Sequence, residues 1–315
     1  MIEVKHLSKF YGEHAAVDDL SFEVEDGTIY GFLGANGAGK TTTMNIMAGY
    51  LAPSDGEVMI NGYSILEEPE KAKKTIGYLP EIPPVYPDMT VYEYLAFASA
   101  LKKIPPKERE NQIDLAVGAL ELGGVSDRLI RNLSKGYRQR VGIAGTLVGD
   151  PKILIFDEPT VGLDPGQIIE TRALIRRLGR RHTVILSTHI LSEVQAVCDR
   201  IVIIDRGRII ADEKTDDISS AVNRSRRYSA KICGPTGEGR SMLRSVPGVS
   251  GAEVTGERDL DAFVYMIESE KGRDVRKDLF AACAAKSYPL IGMEPSGMSL
   301  EEVFIKLTEN GGKKR

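Results

Sequence analysis

The fold of this chain is decided by the stretch Gly34-Ala35-Asn36-Gly37-Ala38-Gly39-Lys40-Thr41. It has the spacing GxxxxGK followed by Ser or Thr, and it lies between a predicted strand and a predicted helix, which is the setting this motif requires. Glycines in such a loop let backbone N–H groups surround a polyphosphate, and the start of the helix favours negative charge. We therefore expect the loop and Thr42 to bind the phosphates of a nucleoside triphosphate, with Lys40 reaching the β- and γ-phosphates and Thr41 binding Mg²⁺.

Short apolar runs on both sides of this loop predict strands buried on both faces of a parallel sheet. They span residues 28–33, 152–156, 183–187 and 201–204, and helical patterns separate them. Alternating strands and helices predict an α/β core whose ligands lie at the carboxyl ends of the strands. Near the N-terminus, apolar and polar residues alternate instead, and this pattern predicts an antiparallel β-subdomain.

Two further regions are predicted from their patterns. Residues between Pro87 and Ser134 are helical in pattern with a break at Pro105-Pro106, which indicates an α-helical insertion, a subdomain over about 88–140. Polar and charged residues after Asp212 indicate a linker, so we place an ATP-binding domain at 1–219 and an accessory domain at 220–315.

The accessory domain has the predicted order strand, helix, strand, strand, helix, strand. That order favours a small α+β unit, ferredoxin-like or related. A last helix from Ser299 to Glu309 is predicted because Ser299 and Glu302 have the spacing of a capping box.

Composition limits the possible partners and compartments. The 41 Lys and Arg are outnumbered by 45 Asp and Glu, which disfavours nucleic acid as a partner. Cys198, Cys233 and Cys283 have no metal-ligand spacing, and we expect reduced thiols in a cytoplasmic protein. The apolar runs are far shorter than the roughly 20 residues of a membrane span, and no signal peptide is evident, so we expect a membrane role only through a partner.

A second motif, Phe156-Asp157-Glu158-Pro159, ends an apolar strand with two consecutive carboxylates. A buried strand end tolerates such a pair poorly without a cation or a partner, although acidic turns of this kind are common by themselves. We expect Asp157 to bind Mg²⁺ through water and Glu158 to orient and deprotonate the attacking water. Together the two motifs predict a P-loop NTPase.

The segment Leu133-Ser134-Lys135-Gly136-Tyr137-Arg138-Gln139-Arg140 resembles the signature sequence of ATP-binding cassette (ABC) ATPases. The resemblance covers residues 1 to 215, and further motifs follow in the family's order. It implies that Tyr11 stacks on adenine with Val17 packed beside it. It also implies that Val161-Gly162-Leu163-Asp164 is the D-loop at a dimer interface, and that His189 is the switch histidine at the γ-phosphate.

The resemblance further implies that two subunits share each site. The residues that would act on ATP across the dimer are Ser134, Lys135, Gly136 and Asp164. Two positions depart from the family's pattern: Glu81 stands where most members have glutamine, and Lys135 replaces the first glycine of the signature. Glu81 still offers Mg²⁺ an oxygen ligand, and Gly136 keeps a glycine where the backbone approaches the phosphate closely, so we expect activity to be retained.

The segments Tyr78-Leu79-Pro80-Glu81 and Leu133 to Tyr137 are similar to those of ATPases paired with ABC-2-type export permeases, including drug, sodium and gliding-motility-associated types. This similarity implies a homodimer, or a pair with another ABC ATPase subunit, on the cytoplasmic face of the cell membrane. It also implies that a separate permease docks on residues 82–101, although a surface loop packed on its own helix would have the same sequence pattern.

Two other functions stay open on the sequence. A non-transport ABC ATPase, either a ribosome-associated factor or a chromosome-maintenance ATPase, usually has two cassettes or long coiled coils, whereas this chain has one cassette and no sustained heptads. An ATP-sensing regulatory subunit would be expected to have lost Glu158 or Lys40, and both are present.

Overall fold

The computed structural model describes residues 1–215, 227–270 and 273–295. The chain divides into two compact units, Met1–Thr215 and Asp216–Arg315. The predicted boundary between residues 219 and 220 lies in the segment 216–226, outside the described residues, and so does the predicted last helix from Ser299 to Glu309.

The first unit is built from two sheets and the helices around them. Its strands are β1 (Ile2–Tyr11), β2 (His14–Val24), β3 (Ile29–Leu33), β4 (Asp55–Ile60), β5 (Tyr63–Ser64), β6 (Ile76–Leu79), β7 (Ile153–Asp157), β8 (Thr183–Thr188), β9 (Arg200–Asp205) and β10 (Arg208–Lys214). Its helices are α1 (Lys40–Met47), α2 (Pro69–Lys74), α3 (Val91–Leu101), α4 (Pro106–Ala119), α5 (Lys135–Leu147), α6 (Pro165–Gly179) and α7 (Leu191–Val197).

The larger sheet has the strand order β10-β9-β3-β8-β7-β6. Its neighbouring strands are parallel except at one edge, where β10 runs antiparallel to β9. Every residue of β3, β7 and β8 is buried, as a strand covered on both faces requires. The prediction of a parallel α/β core is therefore confirmed.

The smaller sheet has the order β2-β1-β4-β5, and all its pairs are antiparallel. This arrangement confirms the predicted β-subdomain. Its buried face shares one core with the larger sheet, where Phe22 of β2 packs edge-on against Phe32 of β3 with ring centroids 5.1 Å apart. Met44 of α1 is fully buried in the same core, and this packing anchors the helix that follows the phosphate loop.

The helical insertion is present as predicted, and its proline pair lies at a helix boundary. Pro106 is the first residue of α4, where its missing N–H costs no helical hydrogen bond. Thr90 begins α3 with a capping box, in which its hydroxyl accepts from the Glu93 N–H and the Glu93 carboxylate accepts from the Thr90 N–H. Helix α5 continues to Leu147, so the predicted end of the subdomain at residue 140 falls inside a helix.

The second unit contains β11 (Arg227–Cys233), α8 (Thr236–Arg244), β12 (Val249–Asp259), β13 (Ala262–Ser269), α9 (Arg276–Ala285) and β14 (Leu290–Pro295). The sheet order is β12-β13-β11-β14, and every neighbouring pair is antiparallel. This is the ferredoxin-like topology, and it confirms the α+β prediction. In the part of the chain that the structure describes, no helix is long and apolar enough to cross a membrane.

Candidate active site

The phosphate loop connects β3 to α1 at the carboxyl edge of the parallel sheet. Gly39 is the N-cap residue of α1 and has a φ of 106°, in the region that favours glycine. A Cβ at Gly39 would also lie 2.5 Å from the carbonyl oxygen of Ala16. Both the backbone conformation and the close approach of β2 therefore require glycine here.

Lys40 is only 5% exposed, and its ammonium group is surrounded by oxygen atoms. Its Nζ donates to the carbonyl oxygens of Gly34, at 2.8 Å, and Ala35, at 3.2 Å. It also lies 3.3 Å from Oε1 of Glu158. Since a buried ammonium group needs such partners, the lysine is held beside the phosphate loop and the catalytic candidate Glu158.

Asp157 ends β7 and is fully buried. Its partner in the sheet register is Ser187 of β8, whose hydroxyl donates to Asp157 Oδ1. Burial raises the pKa of Asp157, while hydrogen bonds from Ser187 and Thr41 oppose the rise. The other oxygen, Oδ2, is buried without a hydrogen-bond partner among the described residues, which leaves one carboxylate oxygen available for a cation.

Glu158 has a φ of 48°, in the left-handed region where a non-glycine residue costs roughly 1–2 kcal/mol. The N–H of Glu158 donates to the Ser187 hydroxyl at 2.9 Å, which supports this sharp end of the strand. The side chain lies between Lys40 and His189, with Oε1 3.3 Å from Nζ of Lys40 and Oε2 3.0 Å from Nδ1 of His189. The strain therefore accompanies a carboxylate that is directed into the site.

These segments surround a cavity of about 510 Å³. Its lining residues are Tyr11, His14, Ala16, Asn36, Gly37, Gly39, Lys40, Thr41, Thr42, Glu81, Glu158, Val161 and His189. Most of the residues assigned to ATP from the sequence are thus brought together. The cavity contains the lysine, two carboxylates, two histidines and hydroxyl groups beside a glycine loop, a set suited to phosphate chemistry.

Val17, which the sequence assigned to the adenine site, does not line the cavity. It is fully buried in the core of the first unit, while His14 and Ala16 line the cavity. Because successive side chains of a strand point to opposite faces, Val17 faces away from the residues on either side of it. Of the remaining loop residues, Gly34 and Ala38 are buried below the surface of the cavity, and Ala35 contributes its carbonyl to Lys40.

The four residues assigned across a dimer interface lie at two helix starts. The Ser134 hydroxyl accepts from the N–H of Tyr137 at the start of α5, and Asp164 Oδ1 accepts from the N–H of Gln167 at the start of α6. Lys135 extends its Nζ over Gly162, and a Cβ on Gly136 would lie 2.7 Å from the Gln167 side chain. None of the four assigned residues lines the cavity of its own chain, so a role at the phosphate requires a second chain.

The structure adds residues that the motifs did not single out. Ser187 holds both Asp157 and the backbone of Glu158, and Ala16, His14 and Val161 line the cavity. Ser187 had a detectable signal, because a polar residue at the end of a buried strand must face a polar neighbour. His14 and Ala16 could have been found from strand alternation beside Val17.

Comparison with known proteins indicates the family of this chain. The family model described as ABC transporter matches residues 17–161. The linearmycin resistance ATP-binding protein LnrL of Bacillus subtilis is 32% identical over 314 residues, covering 98% of each chain. The Nod factor export ATP-binding protein I of Cupriavidus metallidurans is 30% identical over 311 residues, covering 98% of this chain and 97% of that protein.

A solved structure leads to the same assignment. The dimeric post-hydrolysis state of the ATP-binding cassette MJ0796, bound to ADP and Pi, is similar with a TM-score of 0.62 and 26% identity. The match covers 68% of this chain and 99% of that one. With the phosphate loop and its facing carboxylates, these likenesses show that the chain belongs to the ABC transporter family, as one of its ATP-binding, ATP-hydrolysing subunits.

Proposed function

We propose that this subunit powers export through a separate ABC-2-type permease, on the cytoplasmic face of the cell membrane, as a homodimer or paired with another ABC ATPase subunit. The full-length likeness to LnrL and to a Nod factor export protein supports this assignment, because it extends over both units of the chain. The observation that carries the chemistry is the placement of Lys40, Glu158 and His189 around one cavity.

In this proposal ATP enters with its base beside Tyr11, which is 52% exposed at the cavity. The phosphates occupy the glycine loop and take the place of Glu158 as the anionic partner of Lys40. The 3.3 Å contact between Lys40 and Glu158 is then replaced by contacts to phosphate. This exchange frees the carboxylate to act as a base at the moment when substrate is present.

The chemistry of the site fits Mg²⁺. Asp157 offers its unpaired Oδ2, and the Thr41 side chain lines the cavity together with Glu81. Hard oxygen donors of this kind are the ligands that Mg²⁺ prefers. When bound, Mg²⁺ supplies charge neutralisation at the β- and γ-phosphate oxygens.

Hydrolysis is assigned to Glu158. Its carboxylate accepts a proton from water as the water oxygen bonds to the γ-phosphorus, and the bond from that phosphorus to the β-γ bridging oxygen breaks. ADP keeps the bridging oxygen, and phosphate leaves with the oxygen of the water. His189 donates Nδ1–H to Oε2 of Glu158 at 3.0 Å, which orients the carboxylate in the site.

A second subunit completes the site. Ser134, Lys135 and Gly136 at the start of α5, with Asp164 at the start of α6, are proposed to close over ATP bound by the other subunit. The start of a helix favours negative charge, so the α5 N-terminus suits a γ-phosphate. ATP would then stabilise the closed pair, and hydrolysis would release it.

The permease is proposed to dock on residues 82–101. Four large apolar side chains of this segment are exposed: Ile82 at 81%, Leu101 at 65%, Tyr86 at 49% and Tyr92 at 41%. The segment follows Glu81, which lines the cavity, so a contact there is close to the ATP site. We expect Ile82→Ser to weaken co-purification with the permease and to leave the turnover of the isolated subunit unchanged.

The test is ATP turnover of the purified chain against protein concentration, with Mg²⁺ and after chelation. Turnover is expected to rise faster than linearly and to stop on chelation. Glu158→Gln is expected to lower kcat by about 10²–10⁴-fold and to elute as an ATP-bound dimer in size exclusion. Glu253→Gln, an exposed residue of β12 in the second unit, is the matched control and is expected to behave as wild type.

Two outcomes would contradict the proposal. Linear turnover that Glu158→Gln leaves intact would remove both the composite site and the role of Glu158. Binding of ATP without turnover, even with the permease present, would favour an ATP-sensing subunit.

A further inference from the structure

A buried carboxylate lies behind the cavity, on the short helix α7. Glu193 is 3% exposed and does not line the ATP cavity. A carboxylate this deep in the protein is costly unless it is hydrogen-bonded or paired with a charge. Its partners therefore indicate what the buried charge is for.

Two hydroxyl groups donate to Glu193, one to each oxygen. Thr160 Oγ1 donates to Oε1 at 2.7 Å, and Thr188 Oγ1 donates to Oε2 at 2.7 Å. Both threonines are buried, at 5% and 0% exposed. The guanidinium of Arg172, on α6, lies 3.7 Å from Oε1 and balances the charge.

The two threonines belong to different loops. Thr160 is two residues after Glu158, in the loop after β7, while Thr188 ends β8 and directly precedes His189. The side chains of Glu158 and His189 are in turn 3.0 Å apart in the cavity. Glu193 thus connects, outside the cavity, the same two loops whose Glu158 and His189 side chains meet inside it.

We propose that Glu193 is a positioning residue for ATP hydrolysis: it holds the loop of Glu158 against the loop of His189. The inference rests on the roles proposed above for these two residues. A displacement of about 1 Å at a reacting group can cost about 100-fold in rate. We therefore expect loss of the link between the two loops to lower kcat and to change the affinity for ATP much less. Lys40 and the glycine loop, which bind the phosphates, do not contact Glu193 through any of the hydrogen bonds described above.

The test removes one hydroxyl at a time. Thr160→Val and Thr188→Val are each expected to lower kcat by about 10- to 100-fold, with KM for ATP within about twofold of wild type. The double variant is expected to fall no more than about twofold below the slower single variant, since breaking either hydrogen bond already separates the loops.

A matched control separates positioning from a general loss of stability. Thr146 of α5 is also 5% exposed, and its hydroxyl donates at 2.7 Å to the carbonyl of Ile143 within its own helix. Thr146→Val thus removes a comparable buried hydrogen bond that joins no loops. It is expected to lower the Tm as the other two variants do and to leave kcat unchanged.

Substitution of Glu193 itself completes the experiment. Glu193→Gln can accept from one threonine and donate to the other, so kcat is expected to stay within about fivefold of wild type. Glu193→Ala is expected to match the threonine variants. Wild-type kcat in both single threonine variants, effects that multiply in the double variant, or a kcat loss equally large in Thr146→Val would each overturn the proposal. Failure of the proposed site itself is recognised separately, because Glu158→Gln would then keep its turnover.

Discussion

Buried charge distinguishes the first unit from the second. In the first, Lys40, Asp157, Glu158 and Glu193 are each at most 6% exposed. Among the described residues of the second unit, Ser269 is the buried polar side chain, and the core is apolar and aromatic. Both units pack helices against a sheet, and they differ in the kinds of side chain that they bury.

A catalytic function explains why the first unit buries charged side chains despite the free-energy cost. Burying a charge without compensation is strongly unfavourable, and residues with such environments cluster where chemistry occurs. The first unit also places Glu158 in the left-handed region, beside the cavity. The second unit follows the ordinary rule of an apolar core, which suits a structural or partner-binding module. Substitutions can test whether the buried charges of the first unit serve catalysis and whether the apolar core of the second unit serves stability.

The largest effect is expected from the buried lysine. Lys40→Ala removes the cation that is proposed to contact the phosphates, and we expect kcat/KM to fall by about 10³-fold. Lys231→Ala is the matched change in the second unit, where Lys231 forms an ion pair with Asp259 at 2.6 Å near the surface. Steady-state ATPase assays of both variants should show a loss only in the first. An equal loss in both variants would contradict the proposed difference between the two units.

The next largest effect is expected in the apolar core of the second unit. Leu279 of α9 is fully buried, and Leu279→Ala is expected to cost about 2–5 kcal/mol of the unit's free energy of unfolding. Phe280, its neighbour, is 63% exposed, so Phe280→Ala should change little. Hydrogen exchange of peptides from residues 227–295 measures both. If Phe280→Ala is the more damaging, the assigned core is wrong.

A smaller effect of opposite sign is expected at Asp157, whose pKa burial raises above the ordinary 3.8. The folded protein holds this proton more tightly than the unfolded protein, so the carboxyl stabilises the fold below the unfolded pKa. That contribution is lost as pH rises through the folded-state pKa. At neutral pH and without Mg²⁺ or ATP, Asp157→Asn should therefore raise the free energy of unfolding.

Urea titrations of Asp157→Asn at several pH values check this sign. The gain over wild type is expected at neutral pH and should shrink as pH falls toward 3.8. Asp259→Asn, which weakens the surface ion pair with Lys231, should give no gain at any pH. A gain at Asp157 that grows on acidification would contradict the burial argument.

The smallest effect is expected at the start of α6. Asp164→Ala removes the N-cap of α6 and should cost about 1 kcal/mol, whereas Asp164→Asn keeps a capping oxygen and should cost little. The Tm from thermal unfolding reports the contribution of the cap to stability, and ATP turnover reports the proposed role of Asp164 across the dimer. If Asp164→Asn loses turnover but keeps its stability, the negative charge of Asp164 is needed for activity independently of its role as the helix cap.

Much of the fold could be predicted because the signals are local. Strand β3, the loop of residues 34–39 and α1 follow from an apolar run, glycines and a helical pattern. The ferredoxin-like order of the second unit followed from the sequence of strands and helices, although in the first unit α5 continues to Leu147 and does not end at the predicted residue 140. Boundaries shift in this way because capping depends on neighbours outside the segment.

The phosphate loop, the carboxylate pair at the end of β7 and the class of fold could be predicted from the sequence, because each depends on residues adjacent along the chain. The folded structure shows that Ala16 lines the cavity and Val17 does not. It also shows that Glu193 joins the loops of Glu158 and His189. Thr160, Thr188 and Glu193 meet only because β7 and β8 are neighbours in the sheet. Contacts between residues distant along the chain leave no local pattern, so only the folded arrangement revealed them.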